Sequence, residues 1–331
     1  MTGGLLTTAV GSYPKPDYIL KSRTKVSRGQ MSKEELFELE KKATAHWIKL
    51  QEDMDLDLLV DGEMYRGDMV TYFSEEMEGF DISGLVRSYG NRYYRKPIAV
   101  GPVGRSSDIT VSWWKYAQSL TARPVKGMLT GPYTIVDWSF NEYYPSREAF
   151  VLDVARAVHE EAVALEKAGA KYIQIDEPAL SVRADEMELG SRALGIVTEG
   201  LNAFTITHTA EYTHTYAESS ELFDIIANLP VDMLDLETVN SDYFILDLFR
   251  HRSLAPDKYI ALGVVDSHTH EVEPVEQIKD GIRRGLEVFP ADRLYVKPDC
   301  GLKTRLEDEA VGKMQNIVTA ARELKAELGI A

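Results

Sequence analysis

Residues 172–178 read YIQIDEP: a short apolar, β-branched run closed by two acids and a proline. A run of this kind is the mark of a strand buried on both faces of a parallel sheet. The residues before it read as a helix. It begins near Ser146, continues through FVLDVARAVHEEAVALEKAG and ends at Gly169, a glycine C-cap. Working outward, seven further runs share the character of 172–178: LTTAVGS (6–12), DLLVDGE (57–63), KGMLTGP (126–132), FTITHT (204–209), MLDLETV (233–239), ALGVVDSH (261–268) and LYVKPDC (294–300). Helical patterns lie between them. One opens with Ser32 and Glu35 as a capping box and runs through LFELEKKATAHWIKLQEDM; others fit 215–228, 273–289 and 307–328. Strands alternating with helices in this number predict an α/β fold, a (β/α)8 TIM barrel over residues 1–331 as a single domain.

One stretch exceeds a plain barrel. More than sixty residues separate the second and third runs, among them RKPIAVGPVGRSSDITVSWWKYAQ. Period-two alternation in PIAV and DITVSW predicts a β-hairpin insertion between strands 2 and 3, followed by a helix at 112–121. A small separate domain is the alternative, and the stretch is too short to bury a good core alone.

The chain has 331 residues, 44% hydrophobic and 27% charged, which excludes a disordered or fibrous protein. Its net charge of -16 argues against a role on a nucleic-acid backbone or an anionic membrane, both of which need a basic face. The one cysteine, Cys300, cannot form an internal disulfide. The N-terminal MTGGLLTTAVGSYPKP has no basic region of a signal peptide, and no apolar run approaches the ~20 residues that span a bilayer. The expected location is cytoplasmic.

Every predicted strand ends in polar or turn residues: Gly11-Ser12, Asp61-Gly62-Glu63, Thr130-Gly131-Pro132, Asp176-Glu177-Pro178, His208, Glu237, Asp266-Ser267-His268 and Asp299-Cys300-Gly301. In a barrel these ends converge on the face where such enzymes keep their chemistry. Imidazole, carboxylate and thiolate at His208, Glu237 and Cys300 suit zinc in a catalytic site, with an open position for a substrate. Each has a blander reading: an inert buried thiol, a histidine bridging backbone groups, a salt-bridge partner. Asp176 and Glu177 read as a paired acid/base couple, or one of them as a group orienting an amine. His268 reads as a general acid or base, or as a second metal ligand with His270. Trp138 reads as a cover for a flat ligand such as a pterin, or as plain surface. Trp113 and Trp114 read as the core and surface of one helix.

These residues carry a resemblance to the C-terminal, catalytic half of cobalamin-independent methionine synthase. The matching segments are TTAVGSYP (7–14), DGEMYRGDMVTYF (61–73), KPIAVG (96–101), WKYAQSLTARPVKGMLTGPYTIVDWSF (114–140), QIDEPAL (174–180), TH (207–208), LDLET (234–238), GVVDSH (263–268) and PDCGLKTR (298–305). They span nearly the whole chain in the family's order. The resemblance implies a (β/α)8 barrel that moves a methyl group onto the zinc-bound thiolate of homocysteine. It implies His208, Glu237 and Cys300 as zinc ligands. Ser12, Glu63 and Asp176 would hold the amino acid, His268 would handle a proton, and Trp138 would lie near the folate. Full-length members carry a second, N-terminal barrel that this sequence lacks, so the chain is similar to the short core forms.

The sequence departs from the family pattern in one place. Where the family has His-x-Cys, with the Cys a fourth zinc ligand, this chain has His208-Thr209-Ala210. Three readings stay open: three protein ligands with water or substrate in the gap; a substitute such as His214, then Tyr212 or Glu211; or loss of the metal and a different chemistry. One thiolate fewer makes the site less negative and its bound thiolate a weaker nucleophile. A donor more reactive than methyltetrahydrofolate, such as methylcobalamin on a corrinoid protein or other accessory partner, then becomes an expectation beside folate. The competing functions are a related thiol alkyltransferase or tetrapyrrole-modifying barrel enzyme, and a degenerate barrel that only binds.

Overall fold

The structure, a computed structural model, describes residues 4–87, 93–209, 220–251 and 257–330. In chain order its elements begin with β1 (Leu6–Thr7), α1 (Asp17–Ser27), α2 (Lys33–Asp53), α3 (Met69–Glu76), β2 (Glu78–Arg87), β3 (Tyr93–Gly104) and α4 (Val111–Ser119). Then come β4 (Gly127–Thr130), α5 (Pro132–Asp137), β5 (Phe140–Asn141), α6 (Arg147–Ala168), β6 (Tyr172–Asp176), α7 (Met187–Thr198) and β7 (Phe204–Thr209). The chain finishes with α8 (Ser220–Ala227), β8 (Met233–Leu236), α9 (Phe244–Arg250), β9 (Tyr259–Val265), α10 (Val275–Leu286), β10 (Leu294–Pro298) and α11 (Glu307–Leu328).

Seven strands form one parallel sheet in the order β1-β10-β9-β8-β7-β6-β4. The predicted run at 57–63 supplies the eighth position without forming a regular strand. It bridges to Thr8 through Leu58 and to Val125 through Leu59, so it closes the gap between β1 and β4. The capping signals hold, and the helix expected at 215–228 is described from Ser220, its first residues lying outside the described residues. Ser32 and Glu35 exchange their two capping bonds, and Gly169 takes a left-handed conformation at the end of α6.

Strand periodicity arranges the barrel interior in layers. Leu6, Leu58, Tyr172, Ile206, Met233, Ala261 and Tyr295 form an apolar plug. Two residues further along the same strands, on the same faces, stand Thr8, Gln174, His208, Asp235, Gly263 and Lys297. The interior therefore changes from apolar to charged in a single step.

The hairpin between the second and third barrel positions pairs β2 with β3, from Glu78↔Gly104 to Arg87↔Tyr93. PIAV lies in β3 as expected, but its partner is EGFDISGLVR and not DITVSW. DITV instead leads into α4, because a buried carboxylate on α6 captures its backbone. Glu161 accepts the N–H groups of Ile109 at 3.1 Å, Thr110 at 2.6 Å and Val111 at 3.1 Å, together with Arg105 Nε at 2.6 Å. The first amides of a helix have no partner inside it, and Glu161 supplies one from outside. Alternation in sequence could not reveal a cap lying some fifty residues away.

Replacing this carboxylate should therefore unseat the start of α4. Glu161→Gln is expected to cost about 2–4 kcal/mol, because one accepting oxygen becomes an amide nitrogen facing a donor and Arg105 loses its charged partner. Urea unfolding of the variant against wild type measures the loss.

Candidate active site and metal centre

At the C-terminal ends of β7, β8 and β10 the fold brings His208, Glu237 and Cys300 together. One ligating atom from each lies within 4.8 Å of the others. Cys300 Sγ is 3.6 Å from His208 Nε2, and Glu237 Oε1 is 3.9 Å from the same nitrogen. Bond lengths of roughly 2.0–2.3 Å place tetrahedral zinc ligands roughly 3.3–3.8 Å apart. The group thus has both the chemistry and the spacing of a zinc site. His208 and Glu237 are buried and Cys300 is partly open, so a ligand would enter past the sulfur.

The other imidazole nitrogen is already engaged. His208 Nδ1 is 2.7 Å from Asp235 Oδ1, which leaves Nε2 to face the sulfur and the Glu237 carboxylate. Asp235 is fully buried and also meets Lys297 Nζ at 2.7 Å. Burial opposes its ionisation, but the Lys297 ammonium and His208 outweigh that and hold its carboxyl well below the usual range. Burial likewise opposes a charged His208, while Asp235 and the Cys300 sulfur outweigh it and raise the imidazole well above its ordinary value.

Asp299, next to Cys300, ties the loop that follows Glu237. Its carboxylate accepts the backbone N–H groups of Thr238 at 2.8 Å, Val239 at 3.1 Å and Asn240 at 3.0 Å. Residue 263 must be glycine for this to happen, since a Cβ there would stand 1.9 Å from Asp299 Oδ1. One side chain therefore fixes the strand ends that carry two of the three candidate ligands relative to each other.

The remaining predicted groups surround this centre. Asp176 pairs in register with His208 and accepts Gln174 Nε2 at 2.7 Å. Burial pushes its carboxyl up to about 6, against the pull of His208. Glu63 sits at φ 59°, a left-handed conformation that costs a non-glycine residue about 1–2 kcal/mol. Asp61 Oδ1 holds it there by accepting its N–H at 2.9 Å, and Arg66 Nη1 meets its carboxylate at 3.4 Å. Ser12 pairs with Gly62, and its Oγ lies against Gly301, where a Cβ would approach to 2.2 Å.

Other expectations are not gathered here. Glu177 is no partner of Asp176 in an acid/base couple. It turns to the start of α5, where it accepts the N–H groups of Tyr133 at 2.9 Å and Thr134 at 2.8 Å. His268 is exposed, and its ring makes no hydrogen bond or ion pair among the described residues; its backbone N–H meets Asp266 Oδ1 at 2.7 Å. His270 pairs with Glu309 at 2.8 Å, away from the ligand group. Trp138 is half-buried at the end of α5 and packs against the core. His214 and Ala210 lie outside the described residues. Sequence reading missed Asp235, Lys297 and Asp299 as supporting groups. The available signal for Asp235 and Lys297 was a charge inside an apolar strand, two residues from a predicted ligand or strand end; Asp299 was itself one of the polar strand ends.

Asp299→Asn should weaken the staple, because an amide nitrogen would face a backbone donor. The expected loss is about 1–3 kcal/mol in urea unfolding. Faster hydrogen exchange of the 238–240 amides would place that loss at this loop.

Comparison with known proteins identifies the family and the fold. Residues 5–323 match the family model described as cobalamin-independent synthase, catalytic domain. A 5-methyltetrahydropteroyltriglutamate–homocysteine methyltransferase of Listeria innocua is 39% identical over 330 residues, covering 97% of this chain. The enzyme of the same name from Mycolicibacterium paratuberculosis is 41% identical over 333 residues. The chain spans 43% of the length of each of these relatives. A solved B12-independent methionine synthase from Shewanella, in complex with selenomethionine, superposes with a TM-score of 0.85 at 27% identity, covering 98% of this chain and 99% of that one. On the strength of the family match over nearly its full length, the chain belongs to the catalytic-domain family of the cobalamin-independent synthases.

Proposed function

We propose that this barrel, read as one catalytic domain over residues 1–331, transfers a methyl group to the thiol sulfur of homocysteine to give methionine. The observation that carries the reading is the group of His208, Glu237 and Cys300 at the strand ends, with ligating atoms within 4.8 Å of one another. Those residues would hold a zinc ion, their Nε2, carboxylate oxygen and thiolate being the donors zinc prefers. When bound, zinc lowers the pKa of a substrate thiol and presents it as thiolate.

The chain's own residues do the rest. Asp176 and Glu63 offer carboxylates to the amino acid's ammonium, and Ser12 lines the same mouth beside Gly301. Asp61 and Arg66 keep Glu63 in its strained position, so its carboxylate is placed before substrate arrives. Trp138, half-buried at the end of α5 and apart from the candidate ligands, would lie near the donor. His268, exposed at the end of β9, supplies the proton that the donor's leaving nitrogen takes up as its methyl bond breaks. The relatives' names support a methyltetrahydropteroylglutamate donor. Ala210 favours a second donor, methylcobalamin, because one thiolate fewer leaves a weaker nucleophile at sulfur.

Metal content tests the centre. The purified protein should carry about one zinc per chain, and Cys300→Ala should lose both the zinc and methionine formation. Wild-type protein that takes up no zinc, even with homocysteine supplied, would remove this chemistry and leave only the fold. Turnover assays with methyltetrahydrofolate and with methylcobalamin then decide the donor; transfer from methyltetrahydrofolate alone would sink the corrinoid alternative.

A further inference from the structure

We propose that Lys297 is a positioning residue that couples two of the three candidate metal ligands and thereby sets the site's affinity for a divalent metal. The inference rests on reading His208, Glu237 and Cys300 as a metal site.

Lys297 stands in β10, fully buried in the barrel's charged layer. Its Nζ makes two contacts with opposite sides of the ligand group. At 2.7 Å it meets Asp235 Oδ1, the same oxygen that lies 2.7 Å from His208 Nδ1. At 2.8 Å it donates to the carbonyl of Asp299, the residue immediately before Cys300. One ammonium thus holds the carboxylate that aims the imidazole and the backbone that presents the thiolate. Asp235 has little else to hold it, since its Oδ2 is buried with no hydrogen-bond partner. Without Lys297 that carboxylate would turn to recover a partner, and the imidazole would turn with it. The second buried lysine nearby, Lys126, adds its charge to the field at Asp235 but makes no hydrogen bond or ion pair with it among the described residues. It donates instead to the Ala9 carbonyl at 2.6 Å and to Gln174.

Groups behind a metal-bound histidine typically change metal affinity 10–100-fold when altered. Lys297→Met keeps the length of the side chain and removes the ammonium. Metal-free wild type, Lys297→Met, the double variant Asp235→Asn/Lys297→Met, and Lys126→Met as a control for losing any buried ammonium would compete for zinc with a chromophoric chelator at fixed pH. Cobalt(II) would report the Cys300 bond by its thiolate absorption, and thermal unfolding would report the fold. The expected result is zinc affinity roughly 10–100-fold lower in Lys297→Met, with a shifted cobalt–thiolate band. The double variant should regain thermal stability, because it no longer buries a lone carboxylate, and yet stay weak for zinc. If Lys297→Met does not fold, the double variant alone carries the comparison. Wild-type affinity in both Lys297 variants, or an equal loss in Lys126→Met, would overturn the assignment. A wild type that binds zinc beside a Cys300→Ala that does not keeps the metal reading intact in that event. A wild type that binds none overturns the metal reading and this inference with it.

Discussion

Charge enters the interior of a barrel only where it meets its opposite, and in this protein that meeting happens at Asp235. The carboxylate is fully buried, one residue layer above an apolar plug of Tyr172, Ile206, Met233 and Tyr295. A lone carboxylate there would be too costly to ionise. Lys297 and His208 make it tolerable, and the same contacts fix where each of them points. Breaking a buried pair of this kind costs about 3–5 kcal/mol, so the arrangement is held against the thermal motion that would scatter the ligands above it. The group of His208, Glu237 and Cys300 is therefore an extension of the barrel core, built upward from a salt bridge.

The same device recurs around the barrel rim in a different role. Glu161, Glu177 and Asp299 are all buried, and each gathers the backbone N–H groups at the start of a helix or loop. Loops that follow parallel strands begin with amides that no strand or helix satisfies, and a carboxylate from a neighbouring element satisfies several at once. This divides the polar strand ends into two kinds. Asp176 stands beside His208 and Ser12 beside Gly301, close to the candidate ligands, whereas Glu177 and Asp299 hold the backbone at the strand ends.

Glu63 shows what that rigidity is for. Its left-handed backbone would relax without Asp61, which accepts its N–H, and Arg66, which meets its carboxylate while also donating to the Met128 carbonyl at 2.5 Å. Conformational cost is accepted at Glu63 and met by the contacts behind it, a distribution of strain that is common at functional sites.

The sequence alone was enough for the barrel, because eight short buried runs separated by amphipathic helices admit few other folds, and the caps at Ser32, Ser146 and Gly169 are local chemistry. It was also enough to nominate His208, Glu237 and Cys300, since strand ends in a barrel converge whatever their spacing in the chain. It did not show that the run at 57–63 holds its place by isolated bridges, or that DITV begins a helix, because Glu161 acts on it from a distant part of the chain. Nor did it separate Asp176 from its neighbour Glu177, which strand pleating sends to opposite faces. Asp235 and Lys297 were in plain view as charges inside apolar strands, but each acquires meaning only from the other. They sit on strands two places apart around the ring, and pairing across that distance is a property of the closed barrel, which no local pattern records.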